Sequence, residues 1–227
     1  MPTASSTPKP PVIIVGPDTA PPTDIENIEA AATVYKLESD DLDSLIALLK
    51  EHQTASLYIA EPDLTTSEYC ALSDFIVDWV RNGGTAVLGG GFSSWVNPAE
   101  FDSWMVNAWQ LPWKIGQYTR STVHYQSAAK GPARHPNWRN GLLAAYSSKA
   151  VYLSHVDEPH RWYIDVVEVD YDEDSEEEDA PRDTIDIDHQ TSVAFARVGR
   201  GWLGYTGDVN AEKGTCLATL SMLGINK

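Results

Sequence analysis

Short, uninterrupted apolar runs alternate with amphipathic helical segments through the first half of the sequence, and this alternation limits the fold more than any other feature. Residues 12–16 (VIIVG) and 85–88 (TAVL) lack the polar alternation of a half-exposed strand and are typical of strands buried on both faces. Residues 33–37 and 56–60 are further candidates. Strands that alternate with helices predict β-α-β units, right-handed crossovers and a parallel sheet covered on both sides.

The segments between these strands carry helix start and stop signals. Leucine and isoleucine recur at i, i+3, i+4 and i+7 within residues 42–49, and Ser39 or Asp40 is expected to cap that helix. Residues 65–68 (TTSE) have the capping-box pattern ahead of a second helix. Asn97, followed by proline, is expected to cap a third helix.

The C-terminal region has a different pattern. Residues 192–198 and 202–205 are apolar runs on either side of Gly-Arg-Gly, which predicts an antiparallel hairpin. A final helix follows, with Asn210 expected at its start and Gly224 at its end. The element pattern therefore predicts one α/β domain.

The domain boundaries come from composition. The first eleven residues are rich in proline, serine and threonine and predict a disordered tail over residues 1–11. Residues 12–227 are then expected to form the single domain, with an acidic loop inserted at 170–188.

The negative charge is concentrated in that insert. Sixteen Lys and Arg against 33 Asp and Glu give a net charge of −17. Residues 165–188 contain 13 acids and one base, a net of −12, so the rest of the chain carries −17 + 12 = −5. We expect no nucleic-acid partner and no membrane partner, because anionic surfaces would be repelled. A basic protein surface would be attracted.

Targeting and metal signals are few. No apolar run approaches the ~18 residues of a membrane span. The N-terminus has no signal-peptide h-region, so we expect a cytoplasmic protein.

Cys70 and Cys216 are too few for a disulfide framework and match no zinc pattern, so they are interpreted as free thiols. The sequence predicts no metal site and no cofactor.

Three segments resemble a known superfamily. Residues 78–88 (DWVRNGGTAVL) and 192–210 (SVAFARVGRGWLGYTGDVN) resemble class I glutamine amidotransferase-like proteins, including the trehalose-utilisation-like branch. Residues 101–120, with LPWK at 111–114, resemble a mostly fungal group of this type. The resemblance covers most of the predicted domain. It implies a flavodoxin-like three-layer sandwich with a mostly parallel sheet and a C-terminal antiparallel hairpin.

The resemblance also has a gap at the reaction centre. Active members place a cysteine or another nucleophile on a tight elbow between a strand and a helix. Here the corresponding residues 88–94 (LGGGFSS) contain no cysteine, and no His-x-Glu motif occurs near the C-terminal hairpin. The resemblance therefore implies a catalytically degenerate domain that does not hydrolyse glutamine.

The leading functional hypothesis is a binding or protein-interaction module, with a protein or a small molecule as ligand. Ligands of parallel sheets bind beyond the carboxyl ends of the strands. The glycine run either makes a tight turn or lets a ligand approach the backbone. The aromatic residues nearby are typical of pockets and partner surfaces. The candidate binding residues are Gly89, Gly90, Gly91, Phe92, Trp95, Trp113 and Tyr118.

Two alternatives stay open. The first is a hydrolase or lyase acting on a small molecule, with Ser93 or Ser94 as nucleophile and His124 as base. Glu61 or Asp208 would then orient the histidine. The second is a homo-oligomer formed through an exposed sheet edge or an aromatic patch.

Overall fold

The computed structural model describes residues 8–38, 41–133, 135–165 and 190–226. Most of the predicted tail and the whole predicted acidic insert, 170–188, lie outside the described residues. The first strand begins at Pro11, one residue before the expected start of the domain.

Strands and helices alternate in the first half of the chain, and strands dominate the second half. The strands of the described ranges are β1 Pro11–Val15, β2 Thr33–Leu37, β3 Ser56–Ile59, β4 Thr85–Leu88, β5 Lys114–Tyr125, β6 Ala145–Ser154, β7 Arg161–Asp165, β8 Thr191–Val198 and β9 Gly201–Thr206. The α-helices there are α1 Pro22–Ala31, α2 Leu42–Glu51, α3 Cys70–Arg81, α4 Gly91–Trp95, α5 Pro98–Trp104 and α6 Lys213–Met222. A π-helical turn, Met105–Trp109, continues α5.

Five strands form a parallel arm in the order β2-β1-β3-β4-β9. Ile13 of β1 pairs with Tyr35 on one side and Leu57 on the other, and Leu88 at the end of β4 pairs with Tyr205. Every residue of β3 and β4 is buried. The continuous apolar runs of the sequence are therefore strands covered on both faces, as predicted.

The other strands close a ring. β8 pairs with β6 and β7, and β5 pairs with the same two strands, so four strands enclose a small barrel. β8 also joins the ring to the parallel arm, because it pairs antiparallel with β9 across the turn at Gly199 and Arg200. Among the described strands, four pairings are parallel and five are antiparallel.

The predicted fold class, a mostly parallel flavodoxin-like three-layer sandwich, is therefore wrong. A parallel connection needs a crossover of about a dozen residues, usually a helix. The described residues between β5 and β7 contain no α-helix to supply one. These strands therefore pair antiparallel. The prediction missed one sequence signal, which is the absence of helical periodicity after Trp109.

Two apolar cores lie on opposite faces of the parallel arm. Ile13 and Val15 point into one core beneath α2, α3 and α5, and Val12 and Ile14 point into the other beneath α1 and α6. Successive side chains of a strand alternate between faces, so a run such as VIIV fills both cores at once.

The helix caps agree with the sequence at some positions and differ at others. Asn97 accepts the backbone N–H groups of Ala99 and Glu100, which confirms the predicted cap. Asp41 accepts the N–H of Ser44 at the start of α2, in place of the predicted Ser39 or Asp40, which lie outside the described residues.

The predicted capping box and the Asn210 cap are wrong. Thr65 ends one short 3-10 turn and Ser67 begins another, and α3 begins at Cys70 without a side-chain cap. Asn210 precedes α6 by three residues, because the chain first turns around the Asp208 carboxylate. Gly224, with φ of +74°, ends that helix as predicted.

Candidate functional site

The turn between β4 and α4 is a tight strand-to-helix elbow built from three glycines. Gly90, directly before α4, has φ of 60° and ψ of −127°. An L side chain adopts a positive φ of this kind only with strain. Enzymes with a nucleophile elbow place the reactive side chain on just such a turn. Gly90 has this conformation and carries no side chain.

The space in front of this elbow is already filled. A Cβ placed on Gly90 would lie 2.9 Å from the Tyr58 hydroxyl and 3.0 Å from Cδ of Pro21. A Cβ on Gly89 would lie 2.6 Å from the Thr206 hydroxyl oxygen. These glycines are needed for close packing, and their backbone is buried against neighbouring elements rather than open to a ligand.

A buried polar cluster surrounds the Tyr58 hydroxyl. Tyr58 donates a 2.6 Å hydrogen bond to one oxygen of Asp24, and the Cys216 thiol donates to the other oxygen at 3.4 Å. Burial raises the pKa of Asp24 and that of Tyr58. Burial and the nearby Asp24 carboxylate raise the pKa of the Cys216 thiol to about 12. Cys216 is therefore a protonated thiol at neutral pH and not a nucleophile.

A pair of carboxyl groups lies beyond β9. Asp208 accepts the backbone N–H groups of Asn210, at 2.8 Å, and Glu212, at 2.7 Å. Burial, together with the neighbouring Glu212 carboxyl group, raises the pKa of Asp208 to about 7. Burial opposes ionisation of Glu212, but its hydrogen bonds to Asp208 and Asn210 outweigh it and lower the pKa of Glu212. Arg120 of β5 lies 3.1 Å from Glu212 and balances its charge.

An open cleft lies beside the elbow, on the outer side of α4. It has a volume of about 530 Å³. Trp95, at the end of α4, and Tyr118, on β5, stand at its edge and are 76% and 58% exposed. The other lining residues are all uncharged, namely Ser93, Ser94, Val96, Pro98, Ile115, Gly116, Val151 and Val209.

Ser93 contributes the most unusual atom of this cleft. Ser93 is only 4% exposed, and its hydroxyl oxygen has no hydrogen-bond partner among the described residues. Buried hydroxyl groups are nearly always paired. Because the oxygen itself is buried, a ligand atom reaches it only after the Ser93 side chain turns toward the cleft.

The remaining predicted binding residues lie elsewhere. Phe92 is fully buried and Trp113 is 1% exposed, and both belong to the core beneath α3 and α5. The structure therefore brings Trp95 and Tyr118 of the predicted set to the cleft, together with Ser93 and Ser94.

The structure does not bring the alternative Ser-His-carboxylate set together. His124 is an exposed residue at the far end of β5, eight residues from Gly116 of the cleft, which is about 26 Å of strand. Glu61 accepts the N–H of Asp63 and holds a 3-10 turn. The Asp208 carboxylate is directed to the backbone of residues 210 and 212.

Sequence reasoning missed the cluster around Asp24. Tyr58 gave a signal, because it is one of two polar residues of a fully buried strand, with Ser56, and its hydroxyl needs a hydrogen-bond partner there. Asp24 and Cys216 gave none, since they come from helices at opposite ends of the chain.

Among the described ranges, no three His, Cys, Asp or Glu side chains are grouped as metal ligands would be. No helix in these ranges is both long and apolar enough to span a bilayer.

The architecture defined by the parallel arm, the barrel and the elbow has counterparts among solved structures. It is similar to that of a protein from Bacteroides uniformis described as ThuA-like, with a TM-score of 0.52 and 10% identity over 97% of this chain and 92% of that one. This similarity of fold is consistent with the amidotransferase-like superfamily that the sequence resembles. The link to a fungal group stays a prediction.

Two further structures are of a GH42 β-galactosidase, Gan42B from G. stearothermophilus, and of its catalytic mutant. Their TM-scores are 0.49 and 0.48, each at 14% identity over 97% of this chain and 31% of the enzyme. No family model and no curated protein matches the sequence.

Proposed function

We propose that this chain is a catalytically degenerate, amidotransferase-like binding module that takes its ligand in the cleft between Trp95 and Tyr118. The observation that carries the proposal is the conformation of Gly90. The elbow is built, but its reactive position is a glycine whose side-chain space holds the Tyr58 hydroxyl. The lack of a nucleophile does not remove the cleft, which can still bind a ligand.

The chemistry of the cleft indicates what kind of ligand it takes. Its lining is uncharged, so a buried ionic group on the ligand would find no counter-ion inside. Trp95 and Tyr118 offer exposed aromatic rings, with the Lys149 ammonium over one face of Tyr118, 5.1 Å from the ring centroid. The exposed Ser94 offers a hydroxyl group. We infer a neutral ligand group with an apolar face and a hydrogen-bonding atom, carried either by a small molecule or by a protein side chain.

The experiment compares single substitutions at the cleft with one outside it. Wild type, W95A and Y118A are titrated with a panel of neutral sugars, amino-acid amides and aromatic amides, and binding is followed by ligand-observed NMR. Ligands that bind wild type are expected to lose about tenfold or more in affinity with W95A and Y118A, as aromatic anchors do. V106A is the matched control, because Val106 is 51% exposed and does not line the cleft. Equal losses with V106A, or none with W95A, overturn the proposal.

One observation favours the hydrolase alternative, namely that Ser93 lines the cleft and has a buried hydroxyl without a partner among the described residues. That proposal requires a base for Ser93, and His124 is too distant to act as one in this arrangement. The test is hydrolysis of p-nitrophenyl acetate by wild type and S93A. The binding-module proposal predicts the same slow rate for both, and a rate that falls with S93A supports the hydrolase instead.

A further inference from the structure

A groove at the other end of the sheet collects positive charge. It lies where β8 turns into β9, near the amino end of β4, and has a volume of about 720 Å³. Lys130, Arg139, Arg197 and Arg200 line it together with the rings of Trp138 and Trp202. No Asp or Glu of the described ranges is among the lining residues.

This groove stands out against the charge of the whole protein. The chain has 16 Lys and Arg against 33 Asp and Glu, yet four of those cations line one groove. None of the four is within ion-pair distance of a carboxylate of the described residues. Like charges brought together repel one another, so a group of cations without carboxylate partners in the described ranges favours binding of an anion.

The guanidinium groups are held in place by neutral oxygens. Arg139 donates to the Tyr125 hydroxyl at 3.0 Å and to the Ala129 carbonyl at 2.8 Å. Arg197 donates to the Gly199 carbonyl at 3.1 Å. Such bonds fix an orientation without neutralising the charge.

Arg200 completes the arrangement from the β8–β9 turn. Its guanidinium donates to the Asn82 side-chain oxygen at 3.0 Å, and its backbone N–H donates to the Arg81 carbonyl at 2.9 Å. A guanidinium group has five N–H donors, and each of these arginines uses only one or two on the protein. Arg197 and Arg200 are exposed, so their unused donors are accessible, and guanidinium N–H groups suit the tetrahedral oxygens of phosphate.

The walls of the groove add an apolar component. Trp138 is buried against Trp162, with ring centroids 4.6 Å apart, and Trp202 packs on Phe195 at 4.9 Å. Trp202 remains partly exposed. A ligand that presents a phosphate to the arginines can therefore rest its organic part on this ring.

We propose that the groove lined by Arg197, Arg200, Lys130 and Trp202 is a binding site for a phosphate ester with an aromatic or apolar body, of the nucleotide class. Arg197 and Arg200 bind the phosphate, Lys130 adds a further positive charge, and Trp202 contacts the organic part. The site is independent of the cleft at Trp95, because the two lie at opposite ends of β4.

The test is isothermal titration calorimetry of the full chain with ADP, adenosine and inorganic phosphate. ADP is expected to bind more tightly than either part alone, and its affinity is expected to fall as salt is raised from 50 to 300 mM. R197Q and R200Q are each expected to weaken ADP binding by about tenfold or more. K36Q is the matched control, because it removes one charge at the distant strand β2 and should leave the affinity unchanged.

Several outcomes overturn the proposal. The site is excluded if ADP does not bind the wild-type protein. It is also excluded if ADP binds R197Q and R200Q as tightly as wild type while the variants keep the wild-type thermal unfolding midpoint. Adenosine that binds as tightly as ADP shows that the phosphate is not recognised. A glutamate-rich peptide that binds more tightly than ADP identifies the groove as a docking surface for acidic protein segments instead.

Discussion

The hydroxyl group of Tyr58 lies 2.9 Å from the point where a side chain at Gly90 would begin. This relationship joins a buried tyrosine of β3 to the elbow after β4. It means that no side chain, reactive or not, fits at the elbow without moving the tyrosine. The elbow and the tyrosine are therefore parts of one packed unit.

G90A tests this packing. The alanine must adopt a positive φ and also displaces the Tyr58 hydroxyl, so we expect a loss of about 1–3 kcal/mol in the free energy of unfolding, measured by urea denaturation. G141A is the control, because Gly141 also has a positive φ, of +81°, but no atom lies within 4 Å of its added Cβ. We expect G141A to lose about 1 kcal/mol in the free energy of unfolding. A G90A loss no larger than that of G141A would show that the elbow has room for a side chain.

Y58F tests the buried hydrogen bond to Asp24. Removing the hydroxyl leaves a buried carboxylate oxygen without its donor, so we expect a loss of about 1–3 kcal/mol in the free energy of unfolding. C216A removes the weaker, 3.4 Å sulfur donor to the same carboxylate and should cost less. Chemical denaturation of both variants gives the comparison. A larger loss for C216A than for Y58F would contradict this account of the cluster.

Asp208 should make stability depend on pH. Its pKa is raised from 3.8 to about 7 in the folded protein, so between these values the folded state binds more protons than the unfolded state. Its contribution to the free energy of unfolding is therefore full below about pH 4 and is lost as the pH rises toward 7.

D208N removes this titration, so the stability of wild type relative to D208N should fall between pH 4 and pH 7 and stay level above that. Urea denaturation at several pH values measures it. D74N, at an exposed position of α3, controls for the loss of one charge. A wild-type-to-D208N difference that is constant with pH would refute the raised pKa.

The two cysteines should differ in reactivity. Cys70 is exposed, whereas Cys216 is buried with its pKa raised to about 12. At pH 8 we expect Ellman's reagent to modify one thiol rapidly, and the second only as fast as the protein unfolds. C70S should abolish the fast phase and C216S should keep it. Rapid reaction of both thiols in the wild-type protein would contradict the buried cluster.

The sequence predicted the parts of the fold that are fixed by local pattern. The VIIV run fills two cores by strand alternation, and Asn97 caps its helix by a short-range hydrogen bond. Long-range pairing was not predictable in this way. β5 is half exposed and its partners lie far along the chain, so nothing within residues 114–125 indicates a closed antiparallel ring.

The candidate site, like the fold, was predictable from local sequence only in part. The triple glycine identified the elbow, and Trp95 stood out as an aromatic residue next to it. Which of the three glycines forms the elbow depends on backbone angles, and the role of Tyr58 depends on packing between β3 and the elbow. The sequence pattern indicates neither. Trp113 was predicted in the same binding set as Trp95 but belongs to the core beneath α3 and α5.

The most direct test of the central claim is the 19F NMR spectrum of protein labelled with 5-fluorotryptophan, with the Trp95 signal assigned from W95F. The labelled protein is titrated with the same panel of sugars and amides. The account predicts that ligands shift the Trp95 signal, leave the buried Trp109 and Trp113 signals unmoved, and are recovered chemically unchanged. Ligands that shift only other tryptophan signals, or that are converted to products, would contradict it.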